Sequence, residues 1–264
     1  MNSNSWLDQA ARQTSRLDAE LILANRLGCE RVDLHAHPDR ELTEIEESDA
    51  NADLARRVVG EPIAYILGYK EFYGRKFVVN SDVLVPRPET EALVEEILAL
   101  KPRRVLDVGT GSGAIAVSVA LESPNTEVAA VDMSPEALRA AQGNAEALGA
   151  TSVSFLESDL FAGLKGTHAE PFDVIVANLP YVDRGWDWNS QELAHEPEGA
   201  LYANDEGLEI IKKLMLEAPK YLSENGHVVL EADASQHDKI KEYAAECGLE
   251  VTKVSGLALV LRRH

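Results

Sequence analysis

Cysteine is almost absent: Cys29 and Cys247 are the two in 264 residues, so neither a disulfide framework nor a thiolate zinc site is on offer. Long apolar runs are missing as well. No uninterrupted stretch approaches the ~20 residues that span a bilayer, and Met1-Asn2-Ser3-Asn4-Ser5-Trp6 lacks the charged-then-apolar pattern of a secretory signal. Basic residues are scarce, with 25 Lys and Arg against 45 Asp and Glu and a formal net charge of −20. The surplus acid is dispersed, as in a solubility device rather than a binding patch. A large nucleic-acid footprint would need clustered Lys and Arg. These absences predict a cytoplasmic protein with no membrane and no direct nucleic-acid partner. A partner with a basic surface remains open.

The length allows one α/β domain with a smaller attachment. Residues 5–68 read as helical. Ser15-Arg16-Leu17-Asp18 resembles an N-cap, and Leu17, Leu21, Ile22, Leu23 and Leu27 make a helical stripe ended by Gly28. A further helix begins near Thr43, carries Ile45, Leu54, Val58 and Val59, and stops at Gly60-Glu61-Pro62. Aromatic and β-branched residues around Gly74 predict a hairpin over 71–79, and Val85-Pro86-Arg87-Pro88 cannot be helical. Arg87 reads as a solvated linker charge, with a pairing to a catalytic-domain acid as the alternative. Strands are expected near 103–108, 126–131, 152–157, 172–177, 226–231, 248–254 and 257–262. Helices are expected near 112–122, 134–148, 206–221 and 235–246. Ser134-Pro135-Glu136 carries an N-cap Ser and a Pro at the first helical position. Alternation of this kind makes a parallel, doubly wound Rossmann-like α/β sheet, with an antiparallel hairpin around Ser255-Gly256. The domains predicted are a helical 1–70, a hairpin and linker over 71–90, and the α/β unit over 91–264. Residues 182–205, with Trp186, Trp188, Pro197 and Gly199, form a long irregular connection of the kind that makes lids.

The first strand of that unit, Arg104-Val105-Leu106-Asp107-Val108, runs into Gly109-Thr110-Gly111-Ser112-Gly113. Glycines there let the backbone turn sharply and approach a ligand without Cβ obstruction, while the next helix offers free N–H groups. Asp132 ends the following strand, about twenty residues on, where a carboxylate can accept both hydroxyls of an adenosine ribose. Turn and acid together indicate an adenosine-containing cofactor without separating NAD from S-adenosylmethionine. With Ala114 the turn also fits a dinucleotide fingerprint, and a tight turn without ligand is the plain alternative. Asp159 follows the third strand, beside the expected adenine position. It is either an acceptor for the adenine amino group or a turn cap, and Leu160 is placed to cover the ring.

Asn178-Leu179-Pro180-Tyr181 follows the fourth strand, Phe172-Asp173-Val174-Ile175-Val176-Ala177. Methyl transfer from a sulfonium is an in-line displacement, so the acceptor nitrogen must aim its lone pair at the methyl carbon. A planar amide nitrogen has that pair delocalised. Two acceptors gripping its N–H protons fix its orientation: the Asn178 side-chain oxygen and a backbone carbonyl near Leu179 or Pro180. Pro180 stiffens the loop and Tyr181 offers a flat wall to a planar substrate. The plain alternative is a β-turn, for which these residues are ordinary.

Several segments carry a resemblance to a known family. They are Glu61-Pro62-Ile63-Ala64-Tyr65-Ile66-Leu67-Gly68, Phe72-Tyr73-Gly74, Val85-Pro86-Arg87-Pro88-Glu89-Thr90-Glu91, the glycine turn with its strand, Val131-Asp132-Met133-Ser134-Pro135-Glu136, and Glu196-Pro197-Glu198-Gly199-Ala200-Leu201. In order along nearly the whole chain, they resemble the peptide chain release factor glutamine N5-methyltransferases. The resemblance implies a helical N-terminal domain that helps bind the release factor and a seven-stranded class I methyltransferase domain. The implied substrate is the glutamine of a Gly-Gly-Gln tip, with S-adenosylmethionine as donor and S-adenosylhomocysteine as product. It implies cofactor contacts at Gly109 to Gly113, Asp132, Leu160 and Asn178, and a substrate grip by Asn178, Leu179, Pro180 and Tyr181. Two departures stand out. Leu179 replaces the usual first Pro, which predicts a less rigid loop, and Leu160 stands where an aromatic is often found. Asn-Leu-Pro-Tyr is itself typical of ribosomal RNA adenine N6-dimethyltransferases. Their extra domain usually follows the catalytic one, they lack the Pro-Arg-Pro-Glu-Thr-Glu segment, and −20 is a poor charge for holding RNA. Glutamine methylation of a ribosomal protein is the nearer rival, and a cofactor-binding module without catalysis is a third. A metal site at Cys29, His35 and His37 lacks a fourth ligand, and His195 reads as a surface residue.

Overall fold

The computed structural model describes residues 1–165, 170–186 and 190–264. The chain divides into two compact units, Met1–Tyr69 with Asn189–His195, and Lys70–Trp188 with Glu196–His264.

The first unit is helical: α1 (Ser3–Ala10), α2 (Arg16–Leu27), α3 (Arg31–Ala36), α4 (Glu44–Val58) and α5 (Ile63–Leu67). Helix α2 begins where Ser15 accepts the Asp18 backbone N–H and ends at left-handed Gly28. Helix α4 starts in a capping box between Thr43 and Glu46. Trp6, Ile22, Leu23, Ala50, Leu54 and Ile66 form the core. The expected stripes hold only in part. Leu17 is half exposed, and Ile45 and Val59 stand 74% and 67% exposed. Helix α4 turns Ala50, Asp53 and Leu54 inward; Ile45 lies off that face, and Val58 and Val59 sit at the helix end. Buried Asp53 is answered by Arg26 and Arg56. The segment carrying His195 packs within this unit, where His195 Nε2 lies 3.2 Å from the Val59 carbonyl and Glu192 pairs with Arg57 at 2.7 Å.

The second unit opens with the expected hairpin, β1 (Tyr69–Phe72) and β2 (Arg75–Val78), followed by α6 (Glu91–Leu100). Alternation then runs β3 (Arg104–Val108), α7 (Ala114–Glu122), β4 (Glu127–Asp132), α8 (Pro135–Leu148), β5 (Ser154–Glu157) and β6 (Phe172–Ala177). It continues through β7 (Val182–Asp183), α9 (Glu198–Leu201), β8 (Tyr202–Ala203), α10 (Glu209–Glu217), β9 (Leu222–Glu231), α11 (His237–Glu246), β10 (Leu249–Ser255) and β11 (Ala258–Arg263). A seven-stranded sheet has the order β10-β11-β9-β6-β3-β4-β5. The four pairings from β5 to β9 are parallel, and β11 runs antiparallel to both neighbours. This is the doubly wound fold expected from the alternation, with Ser255 and Ala258 closing the terminal hairpin.

Side chains of β3 alternate between the faces. Leu106 and Val108 join a core with α10 and α11, and Val105 joins one with α6 and α7. Helix α10 begins at Glu209, not near 206, because Asp205, Glu206 and Gly207 all have left-handed backbones. It gives way at Pro219 to a 3-10 turn. In the long connection, β7 and β8 form a two-stranded parallel pair; Trp188 lies outside the described residues. Among the described residues no helix is long and apolar enough to cross a membrane.

Candidate active site

Strand order reverses at β3, with β4 and β5 on one side and β6 and β9 on the other. In an open parallel sheet that reversal leaves a crevice outside the carboxyl ends, where ligands bind. A cavity of about 990 Å³ lies there, large for a small-molecule site. Of the residues expected in the site, Gly109, Thr110, Gly111, Ser112, Asp132, Asp159, Leu160, Asn178, Leu179 and Pro180 line it. Gly113 and Tyr181 do not.

The glycine turn is tied to β4, with the Gly109 and Thr110 N–H groups donating to the Val131 carbonyl at 2.8 and 3.0 Å. Gly109, Gly111 and Gly113 have φ of +75°, +56° and +80°, strained for any residue with a Cβ. A Cβ at Gly109 would come 2.9 Å from Leu179 Cδ2, and one at Gly113 would come 3.1 Å from Ala141 Cβ. Among the described residues a Cβ at Gly111 would meet no atom within 4 Å, so a ligand in the crevice can come close to that backbone. Asp132 Oδ2 accepts the Gly111 N–H and Oδ1 the Ser134 N–H, both at 2.9 Å. Each oxygen retains a second lone pair for an outside donor.

Beneath the turn, Asp107 is completely buried. Its Oδ2 accepts the Thr110 hydroxyl at 2.7 Å and the Ala116 N–H at 3.2 Å. Among the described residues its Oδ1 has no partner. Burial, helped by the nearby Asp132 charge, raises the carboxyl pKa to about 7.

After β5, Asp159 is exposed at the cavity edge, and its carbonyl accepts the Ala162 N–H. Leu160 has φ of +48°, held by the Ser158 hydroxyl donating to its carbonyl at 2.7 Å.

Leu179 is buried against the glycine turn, so packing supplies a constraint that a second proline would otherwise give. Asn178 donates its side-chain N–H to the Thr90 hydroxyl at 3.1 Å. Thr90, after the 3-10 turn Pro88–Thr90, donates in turn to Glu231 Oε2 at 2.7 Å. Glu231 ends β9, is 2% exposed, and also accepts the Tyr181 hydroxyl at 3.2 Å. Burial raises the Glu231 carboxyl above its ordinary range. Burial, and then the Glu231 charge, hold the Tyr181 phenol well above its own. The Tyr181 carbonyl accepts from Gln236 Nε2 at 2.8 Å, and Gly207 sits against it so tightly that a Cβ would overlap its oxygen. The Tyr181 hydroxyl is thus turned toward a buried acid.

Arg87 is not a solvated linker charge. It pairs with Glu196, whose side chain is fully buried and also accepts the Val85 N–H at 3.0 Å. A buried carboxylate without that cation would be costly. Thr90, Glu231, Gln236, Glu196 and Asp107 were not singled out by the sequence reading. A charged residue closing an apolar strand, as Glu231 closes Val228-Val229-Leu230, and an acid inside one, as Asp107, are the local signals that mark them. Among the described residues no group of three or more His, Cys, Asp or Glu is placed to hold a metal.

The PrmC N-terminal domain family matches residues 4–68 and the Methyltransferase domain family matches residues 100–256. The release factor glutamine methyltransferase of Koribacter versatilis is 43% identical over 242 residues, 89% of this chain and 85% of that protein. Its counterpart in Coxiella burnetii is 41% identical over 86% of this chain and 82% of that protein. The chain belongs to the release factor glutamine methyltransferase family. A ribosomal protein L11 methylase from Lactobacillus delbrueckii subsp. bulgaricus shares the fold, with a TM-score of 0.51 and 24% identity over 74% of this chain and 91% of that one. As a release factor glutamine methyltransferase family member the enzyme is an S-adenosylmethionine-dependent methyltransferase. The open backbone at Gly111 and the spare lone pairs of Asp132 fit that cofactor.

Proposed function

We propose that this enzyme methylates the side-chain amide nitrogen, N5, of the glutamine in the Gly-Gly-Gln motif of peptide chain release factors. S-adenosylmethionine supplies a methyl group on a sulfonium, an electrophile strong enough to react with a weakly nucleophilic amide once aligned. Asn178 carries the reading: it lines the same crevice as the glycine turn, with its NH2 held by Thr90. Its Oδ1 accepts one N–H of the substrate amide and a carbonyl of Leu179 or Pro180 accepts the other. The nitrogen lone pair is thereby aimed at the reacting carbon. Orientation of this kind lowers a barrier by several kcal/mol. No strong general base is needed, since nitrogen becomes acidic on methylation and releases its proton to water. Asp132 takes the ribose hydroxyls, Asp159 the adenine amino group, and Leu160 covers the ring.

Purified release factor incubated with enzyme and isotopically labelled S-adenosylmethionine should gain one methyl on the tip glutamine, read by peptide mass spectrometry. Asn178→Ala should lower turnover by roughly a hundredfold or more while cofactor affinity changes less. Label on a ribosomal protein instead, or normal turnover by the variant, overturns the reading.

A further inference from the structure

An asparagine amide has an acceptor end and a donor end, and the grip proposed above works in one orientation only. This inference rests on that reading and asks what sets the orientation. Thr90 and Glu231 lie 141 positions apart in the chain, and both are buried. A threonine hydroxyl has a single proton. Here it goes to Glu231 Oε2 at 2.7 Å, so the oxygen left behind can only accept. The donor it accepts from is Asn178 Nδ2, at 3.1 Å. Glu231 is itself fixed by the Tyr181 hydroxyl on its other oxygen. Turning the Asn178 amide over would set its oxygen against a Thr90 oxygen with no proton between them. It would also face an NH2 toward the substrate's NH2, donor against donor.

We propose that Thr90 and Glu231 are positioning residues that order the protons behind Asn178, committing its NH2 inward and leaving Oδ1 as the acceptor for the substrate amide. Neither need touch a reacting atom. Glu231 supplies the acceptor that fixes the Thr90 proton, Thr90 passes that polarity on, and the Glu231 carboxylate also bonds the Asn178 side chain directly, favouring the same orientation. The Pro-Arg-Pro-Glu-Thr-Glu segment thereby acquires a role in the chemistry through its threonine.

The test is a double-mutant cycle between Thr90 and Asn178 in the full-length enzyme, with kcat measured on release factor and cofactor affinity by calorimetry. Thr90→Val keeps the side-chain shape and removes the hydroxyl; Thr90→Ala removes it without adding a methyl. Both should lower kcat by roughly ten- to a hundredfold with S-adenosylmethionine affinity within about twofold of wild type. Thr90→Ser, which keeps the hydroxyl, should recover most of the rate. In an Asn178→Ala background, Thr90→Val should cost less than about twofold. Wild-type kcat for Thr90→Val and Thr90→Ala, an equal loss in both backgrounds, or a serine variant as slow as the valine one overturns the proton-ordering role. Silence at Thr90 with an inactive Asn178→Ala overturns this inference alone; normal turnover by Asn178→Ala overturns it together with the grip.

Discussion

Asp132 illustrates how one side chain can serve fold and ligand together. Both carboxylate oxygens already accept backbone N–H groups, from Gly111 and Ser134, so the acid fixes the glycine turn and the start of α8 before any ligand arrives. Each oxygen keeps capacity for one more donor. Asp132→Ala removes both contributions, and the loss should fall on cofactor affinity: at least a tenfold weaker dissociation constant by calorimetry, given that hydrogen bonds to charged groups are worth ~1.5–3 kcal/mol. Turnover at saturating cofactor should fall less than for Asn178→Ala. Unchanged affinity would refute the ribose role. Asn178 and Asp132 thus separate by which kinetic parameter each controls.

At the scale of elements, the loop after β6 is braced from behind as well as packed from in front. Leu179 presses on Gly109, Gln236 holds the Tyr181 carbonyl, and Gly207 leaves no room beside it. Gly207 does not line the cavity, yet Gly207→Ala should drive the Tyr181 backbone forward and cut turnover more than tenfold. It should also lower the unfolding free energy, read from thermal melts, by more than the ~1 kcal/mol that a left-handed alanine costs elsewhere. Gly256→Ala is the control, since Gly256 has φ of +60° but open space around its Cβ position. Equal effects of the two substitutions on turnover would show that backbone strain, not the brace, matters. The braced strands were legible because β3, β4 and β6 are buried on both faces and read as continuous apolar runs. Caps made α2, α4 and α8 legible. Strands β7 and β8 span two residues each, too short for any period to register. The Thr90–Glu231–Asn178 network escaped the sequence reading for another reason. Its members sit before α6, after β6 and at the end of β9: the pairing of β6 with β9 brings two of them side by side, the packing of α6 on β9 brings the third, and no local pattern encodes that adjacency.

Charge acts on the whole molecule. With 45 acids against 25 bases, the folded enzyme at neutral pH carries a self-repulsion that eases as pH falls toward its isoelectric point. Asp107 adds to this from inside the fold. Its pKa of about 7 lies above the ordinary 3.8, so between those values the folded state holds a proton that the unfolded state has released. Stability therefore falls as pH rises through that window and levels off above it. Between pH 6 and pH 8 the Asp107 share is about 1 kcal/mol. Thermal melts without cofactor should show the wild type losing stability from pH 6 to pH 8. Salt should reduce the part due to surface repulsion, which is screened, and leave the buried part. Asp107→Asn keeps the size and removes the titration. The gap between the variant and wild-type melting temperatures should therefore shift in the variant's favour as pH rises, at low and high salt alike. A gap that stays constant across pH 6–8 would mean that Asp107 remains ionised throughout that range, its uncapped Oδ1 satisfied by some donor such as water.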